Sequence, residues 1–314
     1  MNPKDLEPTP VFHHVSVMVN EVIHFLNPQP GKTYLDATFG GGGHTKAILN
    51  AEPNCKVIGL DWDMKAIEHN APALQEQYGD RLKIVWGNFA LLYKVLKKDN
   101  IDHLDGILAD FGTSQFQIHH KEGFSFQKNT YLDMRMSPAH QPATAANIVN
   151  QYTESQLIRI FQDYGQETAS RTIAQAIVAA RKEKEIRTTG DLVAIIESVV
   201  NAAAFRASRG ISPATQVFQA LRIEVNQELA NIHSFLMAGM RALSPGGSIV
   251  CISFHSLEDR IVKSFFKDHS DQLETLTRKP ALPSEEEIRS NPSSRSAKLR
   301  AAVKKKVDKC DYHL

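Results

Sequence analysis

The alternation of apolar and polar positions divides the chain into strand-like and helix-like segments. Helical patterns separate the first four of five short apolar runs that are rich in β-branched residues. These runs predict strands: TYLDAT at 33–38, KVIGLD at 56–61, LKIVWG at 82–87, DGILAD at 105–110 and GSIVCISF at 247–254. Buried strands joined by short helices are typical of right-handed crossovers in a parallel sheet. The first part of the chain is therefore predicted to be a doubly wound α/β fold.

The stretch between the fourth and fifth predicted strands has helix-start signals in place of strand patterns. TESQ at 153–156 is a capping box, and Thr188 with Asp191 nearly matches one. Ser-Pro at 212–213 offers an N-cap followed by proline at the first helical position. A segment of this length cannot be a loop in a compact domain.

These signals predict a helical insertion over 115–213 within an α/β domain formed by 1–114 and 214–314. The helix that starts at Pro213 is expected to lead back to the main sheet. Near the C-terminus, LETLTR and KLRAAVKK, separated by a polar segment, predict a hairpin.

Composition is that of an ordinary globular protein, with 314 residues, 42% hydrophobic content and a net charge of +1. No apolar run is long enough to span a membrane and the N-terminus does not resemble a signal peptide, so we expect a cytoplasmic protein without a membrane partner. Three scattered cysteines lack the paired spacing of a zinc site, and no metal is expected. The segment 291–309 is locally basic, which suits either an RNA backbone or a solvated edge.

The glycine-rich loop after the first strand is the first candidate ligand site, because ligands of open α/β sheets bind at the carboxyl ends of the strands. No Gly-Lys-Ser/Thr follows it, and Thr45 stands where a dinucleotide fingerprint requires a third glycine. S-adenosylmethionine carries an ammonium, a sulfonium and a carboxylate. Asp36 is expected to favour the cations, while the N–H groups of Gly42, Gly43 and His44 hold the carboxylate. The alternative is that the glycines only form a tight turn.

Two further strand ends carry candidate cofactor contacts. Asp61 ends the second strand, where an acid accepts hydrogen bonds from ribose hydroxyls, although NAD enzymes share this feature. Asn88 or Phe89 follows the third strand and is expected to meet adenine. The alternatives are that Asp61 is an N-cap and that Phe89 is a core residue.

Several long motifs resemble those of the small-subunit ribosomal RNA cytosine-N4 methyltransferases, the family called ribosomal RNA small subunit methyltransferase H. The resemblance covers almost the whole chain, and its motifs occur in one order: TFGGGGHT at 38–45, GFSF at 123–126, LDMRM at 132–136, FQALRIEVNQEL at 218–229, SFHSLEDR at 253–260 and NPSSRSAKLR at 291–300. It implies a class I, Rossmann-like methyltransferase sheet with an inserted helical domain. It also implies S-adenosylmethionine as methyl donor and a cytosine in the decoding region of small-subunit rRNA as acceptor.

The resemblance also implies a set of cofactor contacts, carried over position by position. They fall on the glycine loop, on three strand ends and at the start of the insertion: Gly42, Gly43, His44, Asp61, Phe89, Asp110 and Gln117. The sequence departs from the family pattern near the substrate side, at Ser16, Gln115, Glu122 and Tyr131.

Methylation of a cytosine amine needs alignment and a proton acceptor, because the amine lone pair is delocalised into the ring. Asp110, at the end of the fourth strand, is the candidate acceptor, and the alternative is that it only holds the cofactor. Ser253 and His255 are expected to face the base, with a structural histidine as the alternative at 255. Ser256 with Asp259 nearly forms a capping box.

Phe124 and Phe126 are candidates either for stacking on RNA bases or for packing the insertion against the sheet. Two other functions remain open from the residues alone: an NAD-dependent oxidoreductase and an RNA-binding module without activity. Asp36 and the missing third glycine argue against the first, and motifs at every strand end argue against the second.

Overall fold

A seven-stranded sheet forms the centre of the protein in the computed structural model, which describes residues 15–112, 121–201 and 212–306. The strands lie in the order β3-β2-β1-β4-β5-β7-β6. Their bounds are β1 Thr33–Asp36, β2 Lys56–Asp61, β3 Leu82–Trp86, β4 Leu104–Asp110, β5 Leu243–Ser253, β6 Leu273–Thr275 and β7 Lys298–Lys304. The five predicted strands and the predicted hairpin are therefore confirmed.

Strands β1 to β5 are parallel, whereas β7 pairs antiparallel with both β5 and β6. The chain starts at β1, runs outward to β3, and returns through β4 to the other side of β1. The order reverses between β1 and β4, and a crevice opens at such a point beyond the carboxyl ends of the strands. Asp36, Asp61 and Asp110 end β1, β2 and β4. The fold therefore brings these acids to one edge of the sheet.

Twelve helices lie within the described residues, numbered here in chain order. Those that precede the long connection between β4 and β5 are α1 Val19–Leu26, α2 Gly43–Ala51, α3 Met64–Tyr78 and α4 Leu92–Lys98. The connection contains α5 Ala145–Gln151, α6 Glu154–Asp163, α7 Ser170–Glu183, α8 Thr189–Val199, α9 Ala214–Asn226 and α10 Glu228–Ala242. The last two are α11 Ser256–Asp268 and α12 Glu285–Ser290. No helix in the part of the chain that the structure describes meets the length and hydropathy that a membrane crossing requires.

Side chains that alternate along the strands build two apolar layers, one on each face of the sheet. On β1, Leu35 packs into the layer that contains Phe235 of α10, whereas Tyr34 packs into the layer that contains Val22 of α1. Phe235 has no exposed surface. Its burial contributes about 1.5–3 kcal/mol to stability. Both faces are covered by helices, which explains why the parallel strands read as continuous apolar runs.

A third apolar cluster belongs to the predicted helical insertion. The predicted capping boxes at Thr153 and Thr188 are present, and each side chain accepts the backbone N–H three residues on. The buried face of α9, which includes Val217 and Leu221, lies in the same cluster as α5 to α8. The boundary predicted at 213 would separate α9 from the helices against which it packs. We therefore propose that the helical unit extends to Asn226.

Candidate active site

A cavity of about 430 Å³ opens at the carboxyl edge of the sheet. One wall is formed by strand ends, including Asp61 and Asp110. The opposite wall comes from the helical unit and includes Phe218 and Arg222 of α9. One wall belongs to the sheet and the other to the helical unit. The cavity therefore suits two reactants, one held against each wall.

The glycine loop turns the chain from β1 into α2. Gly42 has a left-handed backbone with φ of 73° and caps the helix. A Cβ atom there would lie 2.3 Å from Leu74 Cδ1, so only glycine fits. Gly40 and Gly41 line the cavity with bare backbone, while a Cβ on Gly43 would meet Ser16 Oγ at 2.2 Å.

Two of the expected glycine-loop contacts are therefore not on the cavity wall itself. Gly42 N–H donates to the Phe39 carbonyl over 2.7 Å, so it serves the turn. That bond does not support the expectation that this group holds the cofactor carboxylate. Among the predicted loop residues His44 lines the cavity. The assignment of Gly42 and Gly43 as cofactor contacts stays a prediction.

Asp36 is the clearest correction to the sequence interpretation. Its side chain is fully buried and accepts hydrogen bonds from Thr45 Oγ1 at 2.7 Å and from Thr38 N–H at 3.2 Å. Burial raises its pKa. The carboxyl group holds the glycine loop in place through these two hydrogen bonds and has no exposed surface for a ligand. The acid before the glycines is therefore structural, and it does not bind the cofactor cations.

Asp61 occupies the predicted position at the end of β2 and lines the cavity. Its carboxylate accepts Gly40 N–H at 2.7 Å and Asp63 N–H at 2.8 Å, which ties β2 to the glycine loop. Burial raises its pKa to about 6 even though these two bonds favour the charged form. Each oxygen keeps a second lone pair for a ribose hydroxyl. The N-cap of α3 is Asp63, so the alternative reading of Asp61 as the cap is wrong.

Replacement of Asp61 by alanine is expected to weaken S-adenosylmethionine binding by on the order of 1–3 kcal/mol, because the Gly40 N–H and the ribose hydroxyls that Asp61 is predicted to bind would lose an acceptor. Calorimetric titration measures the change. Asp99, which pairs with exposed Lys83 away from the cavity, provides a matched control as Asp99→Ala. Equal affinity in the Asp61 variant and the wild type would contradict the assignment.

Phe89 lies both in the core and on the cavity wall, and its contact with adenine stays a prediction. Its ring packs against Phe111 and Phe235 in the core, with centroids 6.0 and 5.5 Å away, and it also lines the cavity. Trp62 lies 6.1 Å from it on the same wall. Asn88 accepts Ala90 N–H at 2.8 Å and thereby starts the turn that presents Phe89. The flat apolar wall suits an adenine ring.

Asp110 and His44 face each other between β4 and α2. His44 Nε2 donates to the Val17 carbonyl at 2.8 Å, which leaves Nδ1 3.9 Å from Asp110 Oδ2. Burial raises the pKa of Asp110 to about 7, and nearby Asp36 and Glu258 add to the shift, whereas His44 opposes it. Asp110 Oδ1 is buried without a hydrogen-bond partner. The carboxyl group therefore offers an unused acceptor to a ligand in the cavity.

The end of β5 differs from the capping pattern expected at Ser256. The N-cap of α11 is His255, which forms a reciprocal capping box with Glu258, so the prediction for Ser256 and Asp259 is wrong. Asp259 instead pairs with Arg300 on β7 at 2.6 Å. His255 lines the cavity, whereas Ser253 is buried in the sheet. His255 is thus both a structural residue and part of the cavity wall.

Three ligand-type side chains, Glu228, His255 and Glu258, lie within 4.8 Å of one another. The Arg222 side chain donates two hydrogen bonds, of 2.8 and 3.0 Å, to the Glu228 carboxylate. Glu258 accepts the N–H groups of Phe254 and His255. Burial would raise the pKa of Glu258, but the neighbouring His255 side chain, the Phe254 N–H and the charge of Arg222 lower it overall. These carboxylates already have partners, and the expectation that no metal takes part stays a prediction.

Phe126 packs edge-on against Phe218 of α9 with ring centroids 5.0 Å apart, so it packs within the helical unit, and its predicted packing against the sheet stays a prediction. Phe124 and Phe126 both line the cavity.

Of the residues that depart from the family pattern, Ser16 reaches the cavity and Tyr131 is exposed. Gln115 and the predicted cofactor contact Gln117 lie outside the described residues.

The Arg222–Glu228 pair was missed by reasoning from strand ends, because α9 and α10 lie far along the chain from the glycine loop. The signal was present in the motif FQALRIEVNQEL, which spans both residues. Patterning predicted helices in this region but gave no indication that one of them lines the cavity.

The strand order, the glycine turn into α2 and the acid at the end of β2 together define a class I S-adenosylmethionine-dependent methyltransferase. The residues present fit the cofactor: bare backbone at Gly40 and Gly41, a carboxylate at Asp61, an aromatic wall at Phe89 and the unpartnered oxygen of Asp110. The chain belongs to the MraW methylase family, whose model matches residues 11–305.

Curated relatives are similar over nearly the whole chain. One named ribosomal RNA small subunit methyltransferase H, from Carboxydothermus hydrogenoformans, is 45% identical over 93% of this chain and 98% of the relative. Another of the same name, from a Sulfurihydrogenibium species, is 46% identical over 91% of this chain and 97% of the relative. Among solved structures, an rRNA methylase from Streptococcus thermophilus matches 92% of this chain and 94% of its own, at 9% identity and a TM-score of 0.40. That structural likeness is remote, and the fold assignment rests on the strand order.

Proposed function

We propose that this protein methylates the N4 amine of a cytosine in the decoding region of small-subunit ribosomal RNA. The relatives named ribosomal RNA small subunit methyltransferase H support an rRNA substrate. The observation that carries the chemistry is the buried, unpartnered Oδ1 of Asp110, because an exocyclic amine needs an acceptor for its hydrogen. The reaction class is amine methylation, for which no metal is required.

When bound, S-adenosylmethionine supplies a methyl group on a positively charged sulfur, which is already electrophilic. The protein contributes alignment and proton handling. Asp110 accepts an amine N–H, which localises the nitrogen lone pair, and then holds the proton that the amine loses. Its pKa near 7 suits a base that works at neutral pH. Phe89 and Phe124 add apolar surface to the cavity that this carboxyl group lines.

We further propose that the helical unit, predicted as 115–213 and here extended through α9, positions the RNA. Its residues form the wall opposite the strand ends, and Met134, Met136 and Phe218 give that wall a largely apolar surface. A single unstacked base would be held between this wall and the sheet. The 3₁₀ turn Pro292–Ser296 lies at the same cavity through Ser293, and Arg295 on that turn is exposed. This arrangement supports a phosphate contact close to the base.

The direct test supplies labelled S-adenosylmethionine to the purified protein together with small subunits from a strain that lacks the enzyme, and then maps the modified nucleotide. We expect one cytosine in the decoding region to gain a methyl group on N4. Label on another nucleotide would refute the specificity. Absence of any label with intact cofactor binding would favour an RNA-binding module, and absence of cofactor binding would reopen the oxidoreductase reading.

A further inference from the structure

Two buried polar atoms without hydrogen-bond partners line the same cavity. Among the described residues, three buried side-chain atoms lack a partner: Asp110 Oδ1, His255 Nε2 and Glu167 Oε2. The first two belong to residues of the cavity wall, whereas Glu167 does not line it. A buried polar group normally has a partner, so an unpaired one in a cavity wall indicates where a ligand group binds.

The two atoms have opposite hydrogen-bonding character. His255 Nδ1 accepts Glu258 N–H as the N-cap of α11, so the proton of the neutral ring lies on Nε2. Nε2 is 3.2 Å from Glu258 Oε1, without a hydrogen bond between the two atoms. His255 therefore presents an N–H donor to the cavity, and Asp110 presents an acceptor.

Asp110 ends β4, and His255 follows the end of the neighbouring parallel strand β5 by two residues. Asp110 pairs with Ile252, and Phe111 N–H donates to the Ile252 carbonyl at 2.9 Å. Gly112 lies directly against the ring of Phe254, where a Cβ would approach to 3.0 Å. An acceptor and a donor thus stand at adjacent strand ends, on backbone that is fixed by the sheet.

This pairing matches the edge of one kind of base. Cytosine carries an amine, which is a donor, next to a ring nitrogen, which is an acceptor. Uracil presents a carbonyl and an N–H at the same two positions, so both contacts would be mismatched. We infer that His255 is a specificity-determining residue: its Nε2–H donates to ring nitrogen N3 of the target cytosine while Asp110 accepts from N4.

The capping role alone does not account for a histidine at position 255. Capping uses only Nδ1, and asparagine, serine or aspartate caps a helix as well or better. A histidine instead adds a second buried nitrogen, Nε2, which lies 3.2 Å from Glu258 Oε1 but makes no hydrogen bond of its own, so an acceptor on a ligand can pair with it. This inference rests on the proposed function, since it names the contact that selects the base.

The first test replaces His255 by asparagine, which keeps an acceptor for the N-cap but does not reach the Nε2 position. We expect kcat/KM for small subunits to fall by about 10- to 100-fold, the effect of losing one buried hydrogen bond. The dissociation constant of S-adenosylmethionine should change less than about twofold, because the variant leaves the expected cofactor contacts at Asp61, Phe89 and the glycine loop unchanged. In His255→Gln an amide N–H returns near the Nε2 position, and we expect part of the efficiency to return.

The second test removes the acceptor from the base instead of the donor from the protein. Small subunits are reconstituted with 3-deazacytidine, which has C–H in place of N3, at the modified position. Wild type should prefer cytidine over 3-deazacytidine more strongly than His255→Asn does, because only the wild type has a donor to lose. This double comparison cancels the effect of the analogue on amine reactivity, and it reads out contact rather than folding.

Different failures have different meanings in this design. If wild-type protein transfers no methyl group to cytidine subunits, the proposed function is wrong. If wild type is active and His255→Asn keeps full efficiency, or if both proteins discriminate equally between the two bases, then His255 does not read N3 and the inference is overturned. A parallel loss of cofactor affinity and melting temperature in both His255 variants would also overturn it, in favour of a purely structural cap.

Discussion

The Asp110→Asn variant is expected to lose methyl transfer by on the order of 100-fold or more in kcat, the usual contribution of a positioned general base. Asparagine keeps the shape and the acceptor oxygen of Asp110 but cannot take up a proton. S-adenosylmethionine affinity should change by less than about tenfold, since Asp61 and the glycine loop remain. Single-turnover kinetics measure the chemical step and calorimetry measures binding. Equal losses in both would reassign Asp110 to cofactor binding alone.

The pH dependence separates the two roles further. Burial raises the pKa of Asp110 to about 7, so the carboxylate form that accepts the amine hydrogen is lost as the pH falls below that value. For wild type, kcat/KM for the cofactor should rise with pH and level off above about 7, because this parameter reports the free enzyme. The bound sulfonium charge should lower that pKa, and the kcat profile should level off at a lower pH. Asp110→Asn should show neither inflection.

Asp110 is also expected to make the stability of the cofactor-free protein depend on pH, and the direction of that dependence follows from its raised pKa. A raised pKa in the folded state means that the fold favours the neutral carboxyl group, so ionisation destabilises the fold as the pH rises from about 4 to about 7. Asp110→Asn removes this cost. The variant should therefore unfold at a higher denaturant concentration than wild type at pH 8, and the difference should shrink at pH 4. A less stable variant at pH 8 would mean that the carboxylate is paired in the fold.

The sheet was predictable because its strands are buried on both faces and read as continuous apolar runs with glycine and acid at their ends. Asp61 and Asp110 follow from the same logic, since the carboxyl ends of parallel strands share one edge. Asp36 has an identical position in the sequence pattern but opposite exposure. The orientation of the Asp36 side chain depends on the hydrogen bond that it accepts from Thr45 Oγ1, and Thr45 belongs to α2, after the glycine loop. No strand-end pattern contains that information.

The helical wall of the cavity illustrates a second limit. Capping boxes fix where helices begin, because the signal is local and chemical. Which face of α9 meets the sheet edge depends instead on packing between distant segments, and Arg222 reaches Glu228 only because α10 starts directly after α9 turns at Gln227. Similarly, β5 ends at Ser253, one residue earlier than predicted, and His255, which has extended backbone, caps α11 in place of Ser256.

An assembled small subunit is expected to be methylated far more efficiently than a short hairpin that contains the same cytosine, by on the order of 100-fold or more in kcat/KM. The contacts proposed for Asp110 and His255 read one base edge, and a single base offers too little surface to be selected among all cytosines. Recognition must therefore include the shape of the RNA and phosphates away from the target. With a net charge of only +1, those phosphate contacts must be local.

Arg295 is the residue with which to test this recognition, because it is exposed on the turn whose Ser293 reaches the cavity. Arg295→Ala should weaken subunit binding and reduce the slope of log affinity against log salt by about one, the value for one lost phosphate contact. Lys98→Ala is the matched control, since Lys98 is exposed at the end of α4, just before β4 begins, and so lies at the opposite edge of the sheet. It should leave the slope unchanged. If subunit and hairpin are methylated with equal efficiency and show no salt dependence, selection lies wholly in the base pocket, and the basic turn and the helical unit have no part in it.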